Sequence, residues 1–345
     1  MNKIRVGVIG LGMGKSHLKN YKANANVEIA AVCDMNKELA DTIAKEYGVA
    51  NVYTDTDAMF AKEKLDAVSV VTPNKFHSPL TLAAIDKGLH VLCEKPMAMN
   101  TAEAVEMKKA ADKKKVNLMI NFSYRFSPMS YALKKTVDSG VIGPIYFGRT
   151  VWHRRLGMPK FGGWFGQKAL SGGGPLIDLG VHRLDLALWL MGYPEPVSVS
   201  GSAYNKIAAQ HAAKEGKPFD VEDCACGIIK FATGATLMLE ASWALHIKEK
   251  EHMITSLYGE KGGIVQKNTD GGYNFTAEIY TNEDGLEFTK TLDQSRVPVP
   301  TPQDEFVASI MEKRKPMADG EDGIKVMKIL DGVYESAKTG KEVRY

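Results

Sequence analysis

An aspartate and a histidine, Asp178 and His182, stand four positions apart in a leucine-rich stretch. The spacing puts both side chains on one face if the stretch is helical. A helix is expected because Pro175 suits a first helical position and follows the glycines at 172–174, which free the backbone to turn. Ionisable groups among apolar neighbours are costly unless they are paired or functional, so the pattern predicts a proton-transfer pair in a partly dry cleft.

Two other interpretations of this pair stay open. His182 could be a buried histidine whose ring nitrogens are merely hydrogen-bonded. Asp178, His182 and Asp185 could also hold a metal ion, because they lie near one stripe of the helix. A single helix would supply too few ligands, however, so we predict no metal site.

The composition is that of an ordinary globular protein. The chain has 345 residues, of which 44% are hydrophobic and 25% charged, with a formal net charge of +3. This length favours two domains, because single cores rarely grow beyond ~250 to 300 residues. The lysines at 108–109 and 113–115 fit the solvated face and last turn of a helix, so no nucleic-acid partner is predicted.

Cysteine usage and hydropathy predict a cytoplasmic protein. The four cysteines are too few and too irregularly spaced for a disulfide framework in a chain of this length. Cys224 and Cys226 lack the further ligands of a zinc site and suit an alternating strand. The start of the chain lacks the apolar region of a signal peptide, and no run reaches about 18 apolar residues, so we expect no membrane association.

The first third of the chain alternates short apolar runs rich in β-formers with longer amphipathic runs. Strands are predicted at 4–9, 28–33, 68–71, 90–93 and 118–120, with helices between them. This alternation demands a parallel sheet with right-handed crossovers. We therefore predict a doubly wound α/β domain of the Rossmann type over residues 1–122.

From residue 145 onward, longer strand candidates follow one another directly. Glycine turns separate them, at Thr233-Gly234, Gly262-Gly263, Gly271-Gly272 and Asp284-Gly285. Consecutive strands of this kind predict an α+β domain with a large open, mostly antiparallel sheet over residues 123–345. The ligand is expected in a cleft where the two domains meet.

A glycine-rich turn joins the first predicted strand to the first helix. It holds Gly10, Gly12, Met13 and Gly14, and its third glycine falls one position earlier than in the usual G-x-G-x-x-G pattern. Backbone N–H groups and a helix dipole at such a turn can hold a pyrophosphate. Asp34 closes the second strand, where a carboxylate can accept hydrogen bonds from an adenosine ribose, so NAD is favoured over NADP. The alternative is a tight turn without a cofactor, in which Asp34 only caps a helix.

Five motifs along the chain resemble those of one enzyme family. Besides the glycine turn they are Thr72-Pro73-Asn74 with His77, Glu94-Lys95-Pro96, Tyr124-Arg125-Phe126 and the stretch 172–182. In this combination they are similar to the glucose-fructose oxidoreductase and inositol dehydrogenase family (Gfo/Idh/MocA), and the resemblance covers essentially the whole chain. It implies a Rossmann domain followed by a domain whose open sheet mediates homodimers or homotetramers.

The resemblance also implies an activity, which is hydride transfer between a secondary hydroxyl of a sugar or cyclitol and NAD. Lys95, Asp178 and His182 match the catalytic residues of the family. His182 would take the hydroxyl proton, and Lys95 would offset negative charge on the oxygen. Asp178 would orient the imidazole or bind a neighbouring hydroxyl.

Further residues are predicted to contact the cofactor or the substrate. The cofactor is expected to contact the glycine turn, Asp34 and, on the resemblance, Thr72, Pro73, Asn74, His77, Glu94, Lys95 and Trp164. Flat aromatic rings and multi-donor arginines suit polyhydroxylated ligands. Besides the catalytic residues, the predicted substrate contacts are therefore Tyr124, Arg125, Trp152 and Arg154.

Two other functions stay open at this point. Some relatives are NAD-dependent glycosidases, in which transient oxidation eases elimination and the cofactor is regenerated. Rare relatives sense dinucleotides or sugars without turnover, but the intact catalytic residues and the lack of a DNA-binding segment argue against a regulator. The sequence does not identify the substrate, because one set of catalytic residues serves many polyols.

Overall fold

The structure, a computed structural model, describes residues 3–292 and 297–345 and divides into two compact units. Among the described residues, the first unit contains 3–122 and 300–324, and the second contains 123–292, 297–299 and 325–345. The boundary near residue 324 falls within one continuous helix, Gly320–Thr339. Each unit is built on one sheet.

The sheet of the first unit has six parallel strands in the order β3-β2-β1-β4-β5-β6. This order is the doubly wound Rossmann arrangement, and it confirms the predicted fold class. The short strands are almost entirely apolar because helices cover both faces of such a sheet. The strands are β1 (Ile4–Ile9), β2 (Val27–Cys33), β3 (Asn51–Tyr53), β4 (Ala67–Val70), β5 (His90–Cys93) and β6 (Leu118–Ile120).

Five helices connect these strands. The side chains of Asn36 and Asn100 cap α2 and α5 by accepting hydrogen bonds from backbone N–H groups of the first turn. The sequence analysis did not identify β3 or α3, since elements of this length are too short to show a period. The helices are α1 (Leu11–Ala23), α2 (Lys37–Tyr47), α3 (Thr56–Lys62), α4 (His77–Asp86) and α5 (Thr101–Lys114).

The sheet of the second unit has nine strands among the described residues, in the order β14-β13-β12-β11-β7-β10-β9-β8-β15. Only β7 and β10 in it pair in parallel, so the predicted open, mostly antiparallel sheet is confirmed. The strands are β7 (Ile145–Arg154), β8 (Pro196–Tyr204), β9 (Cys224–Phe231), β10 (Thr236–Ser242), β11 (Glu251–Gly259), β12 (Gly262–Asn268), β13 (Phe275–Glu283), β14 (Leu286–Leu292) and β15 (Val343–Arg344). The helices are α6 (Pro128–Asp138), α7 (Lys168–Ser171), α8 (Val181–Leu190) and α9 (Ala208–Lys214).

One predicted turn was wrong. Gly262 and Gly263 begin β12, and Gly263 pairs with Tyr258 on one side and Tyr280 on the other. A Cβ at Gly263 would lie 3.2 Å from the ring of Tyr258. The glycine therefore makes room for neighbouring tyrosines, and the chain reverses just before it.

The two C-terminal helices do not both pack within the second unit. They are α10 (Pro302–Met311) and α11 (Gly320–Thr339), and residues 300–324 belong to the first unit. The amides of Asn20 on α1 and of Asn24, the residue that follows α1, donate to Gln303 and Asp304 on α10, each over 2.7 Å. The sequence analysis assigned residues 300–324 to the second domain, because nothing in the local sequence indicates that they pack in the first unit. No helix of the described part of the chain has the length and apolar character to cross a membrane.

Candidate active site

The glycine turn of the first unit lies at the carboxyl end of β1. Gly10 has φ +85°, and a Cβ there would lie 2.3 Å from the carbonyl oxygen of Val71, so only glycine fits. A Cβ on Gly12 would meet nothing within 4 Å, whereas one on Gly14 would lie 3.1 Å from Val8. The turn thus combines a tight backbone bend with open space in front of Gly12, which fits the approach of a pyrophosphate to the backbone.

Asp34 stands across the same turn. Its two carboxylate oxygens accept the N–H groups of Leu11 and Asn36 at 2.8 and 2.9 Å. Each oxygen retains a lone pair for a further donor, which suits a ribose hydroxyl. Met13 is 71% exposed beside the turn. The residues present therefore fit a dinucleotide.

Two glycine variants separate folding from cofactor binding. Gly12→Ala is expected to leave the unfolding temperature unchanged and to weaken NADH binding at least about tenfold, because its methyl group fills the open space. Gly10→Ala is expected to destabilise the fold by roughly 2 to 4 kcal/mol, because it adds a backbone clash to an unfavourable φ. Thermal unfolding and NADH fluorescence titration check both. Unweakened NADH binding by Gly12→Ala would contradict this assignment.

Two further segments lie at the carboxyl ends of neighbouring strands. Thr72-Pro73-Asn74 follows β4, and Glu94-Lys95-Pro96 follows β5. Ligands of open α/β sheets bind at these strand ends. Lys95 is half-buried there.

His77 and Glu94 were predicted to line the cofactor, but their side chains are engaged inside the unit. His77 is 1% exposed, and its ring nitrogens contact the carbonyl oxygens of Pro96 and Thr72. One oxygen of Glu94 lies 2.9 Å from Nε2 of His17, and the other accepts the N–H of Lys95. Burial acts to raise the pKa of Glu94, but the interactions with His17, Asn121 and Lys95 together outweigh it, so the pKa is lowered and the carboxylate stays ionised.

In the second unit, the predicted helix after the glycine loop is present. Pro175 caps one turn of π-helix, Leu176–Gly180, which continues into α8. In residues 173–190 all side chains are buried except Asp178 and His182, which are partly exposed. The helix therefore presents these two groups together and packs its remaining surface. Single π-turns inside helices are frequent at functional sites.

A buried carboxylate, which the sequence analysis missed, holds the start of this helix. Glu222 accepts the N–H groups of Gly174 and Leu176 at 2.8 and 3.1 Å and the hydroxyl of Tyr334 at 2.8 Å. A Cβ on Gly173 would lie 2.0 Å from that hydroxyl, and one on Gly174 would lie 2.0 Å from the backbone oxygen of Glu222. The glycines thus allow the loop to pack against Glu222. Burial raises the pKa of Glu222, and these hydrogen bonds oppose that shift.

Aromatic side chains lie around the partly exposed Asp178 and His182. The indole N–H of Trp243 donates to Asp178 over 3.0 Å. The ring of His182 lies 5.1 Å from that of Tyr124 and 5.7 Å from that of Trp152, measured between centroids. The imidazole therefore lies beside flat aromatic surfaces, which also suit the C–H faces of a sugar.

Arg154, predicted as a substrate contact, belongs to a polar cluster at the end of β7. Its Nε lies 2.9 Å from a carboxylate oxygen of Glu251, and its guanidinium donates to the hydroxyl of Tyr273 over 3.1 Å. Glu251 also accepts the indole N–H of Trp152 at 2.7 Å. Glu251 and Tyr273 were missed, because each lies about a hundred residues from Arg154 in the chain.

Arg125 requires a correction. Its guanidinium is fully buried and donates to both oxygens of Asp185, and the hydroxyl of Tyr193 joins the pair. Arg125 therefore has a structural partner in place of the predicted substrate contact, and Asp185 is not available as a metal ligand. Within residues 3–292 and 297–345, no group of three or more His, Cys, Asp or Glu side chains is arranged to hold a metal ion. Trp164, predicted at the cofactor, stacks on Phe165 at 3.8 Å.

Comparisons with known proteins find relatives that match this chain over nearly its whole length. A D-glucoside 3-dehydrogenase of Escherichia coli (strain K12) is 36% identical over 351 residues, which cover 99% of this chain and 97% of that protein. A myo-inositol 2-dehydrogenase of Thermotoga maritima is 27% identical, with 99% and 97% covered. The solved structure of levoglucosan dehydrogenase in complex with NADH and levoglucosan is 25% identical, covers 99% of both chains and gives a TM-score of 0.88.

Family models match both units. Residues 4–122 match the oxidoreductase family, NAD-binding Rossmann fold (GFO_IDH_MocA), and residues 134–344 match the C-terminal alpha/beta domain of the same family. The predicted family and the predicted cofactor, NAD, are thereby confirmed. The chain belongs to the GFO_IDH_MocA family of NAD-binding oxidoreductases.

Proposed function

We propose that this protein oxidises a secondary ring hydroxyl of a D-glucoside, or of a closely related pyranoside or cyclitol, to a ketone with NAD. The observation that carries the proposal is the pair Asp178 and His182, the two partly exposed groups of an otherwise buried helix. The similarity to a D-glucoside 3-dehydrogenase supports a glucoside and, within it, the 3-hydroxyl. Hydride loss from a carbinol carbon requires that its hydroxyl proton also leave, and this pair suits that step.

In the proposed mechanism His182 takes the hydroxyl proton of the substrate. Asp178 stabilises the resulting imidazolium or binds the neighbouring hydroxyl, and Trp243 holds its carboxylate in place. The ammonium of Lys95 offsets the negative charge that grows on the oxygen as the proton leaves. NAD, which the glycine turn and Asp34 would hold, would supply the two-electron acceptor for the hydride of the carbinol carbon, and the substrate would become a ketone.

The aromatic wall around His182 accounts for substrate binding in this proposal. Tyr124 and Trp152 offer flat surfaces to the ring of a sugar, and their edge-to-face contact, 5.6 Å between centroids, keeps them rigid. Arg154, held by Glu251, supplies donors for hydroxyl groups. Thr72, Pro73, Asn74, Met13 and Trp164 remain proposed cofactor contacts.

We further propose that the protein self-associates through the face of the large sheet opposite α8. Ile228 and Tyr258 are 44% and 37% exposed on that face, and the ring of Phe147 stacks on Tyr258 at 6.0 Å. Exposed apolar groups clustered on one surface are typical of protein interfaces.

A substrate panel tests the proposed activity. Purified protein with NAD is expected to form NADH with methyl D-glucosides, and the product is expected to carry one ring ketone. Absorbance at the NADH band and mass spectrometry of the sugar measure both. Release of free sugar without accumulating NADH would indicate a glycosidase. NAD binding without turnover on glucosides, other pyranosides and cyclitols would contradict a dehydrogenase.

A further inference from the structure

Two buried histidines stand on either side of Lys95 in the first unit. His17 and His77 are each 1% exposed. One contacts the residue before the lysine, and the other contacts the residue after it. A buried imidazole is costly unless its hydrogen bonds serve a purpose, so the placement of both around one lysine calls for an explanation.

On one side, His17 holds the side chain of Glu94. Its Nε2 lies 2.9 Å from a carboxylate oxygen of Glu94, and the amide of Asn121 donates to the same oxygen. The other ring nitrogen of His17 lies 3.1 Å from the hydroxyl of Ser69, which also contacts the hydroxyl of Tyr21 at 2.8 Å. His17 of α1 and Asn121, which follows β6, therefore meet at one carboxylate oxygen, and Ser69 of β4 supports the ring of His17 from behind.

The second carboxylate oxygen of Glu94 connects this network to the lysine. It accepts the backbone N–H of Lys95 over 3.2 Å. The side chain of Glu94 therefore links the backbone of Lys95 to the core of the unit through His17. Tyr21 is itself 1% exposed, so on that side the network ends in the core of the unit.

On the other side, His77 holds the backbone after the lysine. Its Nδ1 lies 2.7 Å from the carbonyl oxygen of Pro96, and its Nε2 lies 2.8 Å from that of Thr72. A neutral ring donates to one of these oxygens, and a protonated ring donates to both. In either state the ring fills the space between the segment that follows β4 and the segment that follows β5.

We propose that His17 and His77 are positioning residues that fix the backbone of Lys95 from both sides, so that its ammonium is aimed at the reacting oxygen. The inference rests on the role proposed for Lys95 above. A backbone held at two points leaves the lysine less freedom before substrate arrives. A displacement of about 1 Å in a catalytic group can cost ~100-fold in rate, so loosening either contact lowers turnover.

Leucine variants test the proposal because leucine keeps most of the volume and removes the hydrogen bonds. His17→Leu and His77→Leu are each expected to lower kcat about 10- to 100-fold, with KM for NAD and the NADH dissociation constant changed by less than about threefold. Glutamine retains one N–H donor, so His17→Gln and His77→Gln are expected to recover part of kcat. A second measurement does not depend on catalysis. Backbone hydrogen exchange of the peptide that contains residues 94–97 should become faster in both leucine variants.

His90 supplies the matched control. It begins the same strand that ends before Glu94, and its Nδ1 accepts the backbone N–H of Asn117 over 2.9 Å. His90→Leu removes a histidine contact of similar kind at the far end of β5. It is expected to leave kcat and the exchange of residues 94–97 unchanged, even if it lowers the unfolding temperature.

Lys95→Ala, measured in parallel, separates the two levels of the proposal. If Lys95→Ala abolishes turnover while the folded His17→Leu and His77→Leu variants keep wild-type kcat and exchange, the positioning role is refuted and the role of Lys95 stands. Suppose instead that the two leucine variants also weaken NADH binding, and that His90→Leu lowers kcat as much as they do. The histidines then act only on the stability of the unit, and the positioning role is again refuted. If Lys95→Ala keeps normal turnover, the proposed function itself fails.

Discussion

Lys95→Ala is expected to lower kcat on a glucoside substrate at least ~100-fold, the scale of a lost electrostatic contribution to a developing oxyanion. Lys95 follows β5 at the carboxyl end of a parallel sheet, the end at which ligands of this fold bind. The NADH dissociation constant should stay within about threefold, because the backbone of the glycine turn carries cofactor binding. Steady-state kinetics and NADH titration measure the two effects separately.

An exposed lysine of the same unit serves as the control for this variant. Lys87 directly follows α4 and faces solvent, so Lys87→Ala should leave kcat unchanged. Lys95→Arg keeps the charge but changes the shape and number of donors, and it should recover only part of the lost turnover. Normal kcat in Lys95→Ala would show that the lysine does not act on the reacting oxygen.

His182→Ala is expected to lower kcat by a similar factor, at least ~100-fold, because no group then takes the hydroxyl proton. The imidazole is partly exposed on a helix that is otherwise buried, and Tyr124 and Trp152 shape its surroundings. The cavity left by the deleted ring should admit free imidazole, so added imidazole is expected to restore part of the activity. Kinetics with and without imidazole measure this recovery.

The control for His182 is an exposed histidine of the same unit. His211 lies on α9 and faces solvent, so His211→Ala should neither lose activity nor respond to imidazole. A loss in His182→Ala that imidazole does not restore, together with a lowered unfolding temperature, would indicate a structural histidine. Wild-type turnover in His182→Ala would refute its role as a base.

The features that the sequence predicted well depend on local geometry. The helical repeat alone puts Asp178 and His182 on one face, and the structure keeps both partly exposed. Likewise, the turn at Gly10 and the end of β2 at Asp34 follow from a strand-helix-strand pattern within a few tens of residues. Such patterns need no knowledge of distant contacts.

The features that the sequence analysis missed depend on contacts between distant parts of the chain. Glu222 reaches Gly174 across 48 residues, and Asn20 contacts Gln303 across 283. In neither pair does the sequence around one residue indicate its partner. The hydrogen bonds from the glycine loop to Glu222 and the packing of α10 in the first unit were therefore not predicted. His17 offered a signal that was not used, since it shares the buried stripe of α1 with Leu18 and Tyr21.

The most direct test of the central claim follows the hydrogen that leaves the substrate. A methyl glucoside whose ring carbons carry deuterium, incubated with the protein and NAD, should yield NADH that is heavier by one deuterium for each ketone formed. Mass spectrometry of the isolated NADH measures this transfer. NADH without deuterium, with the label released to water as the ketone forms, would contradict hydride transfer from the carbinol carbon and with it the function proposed for this protein.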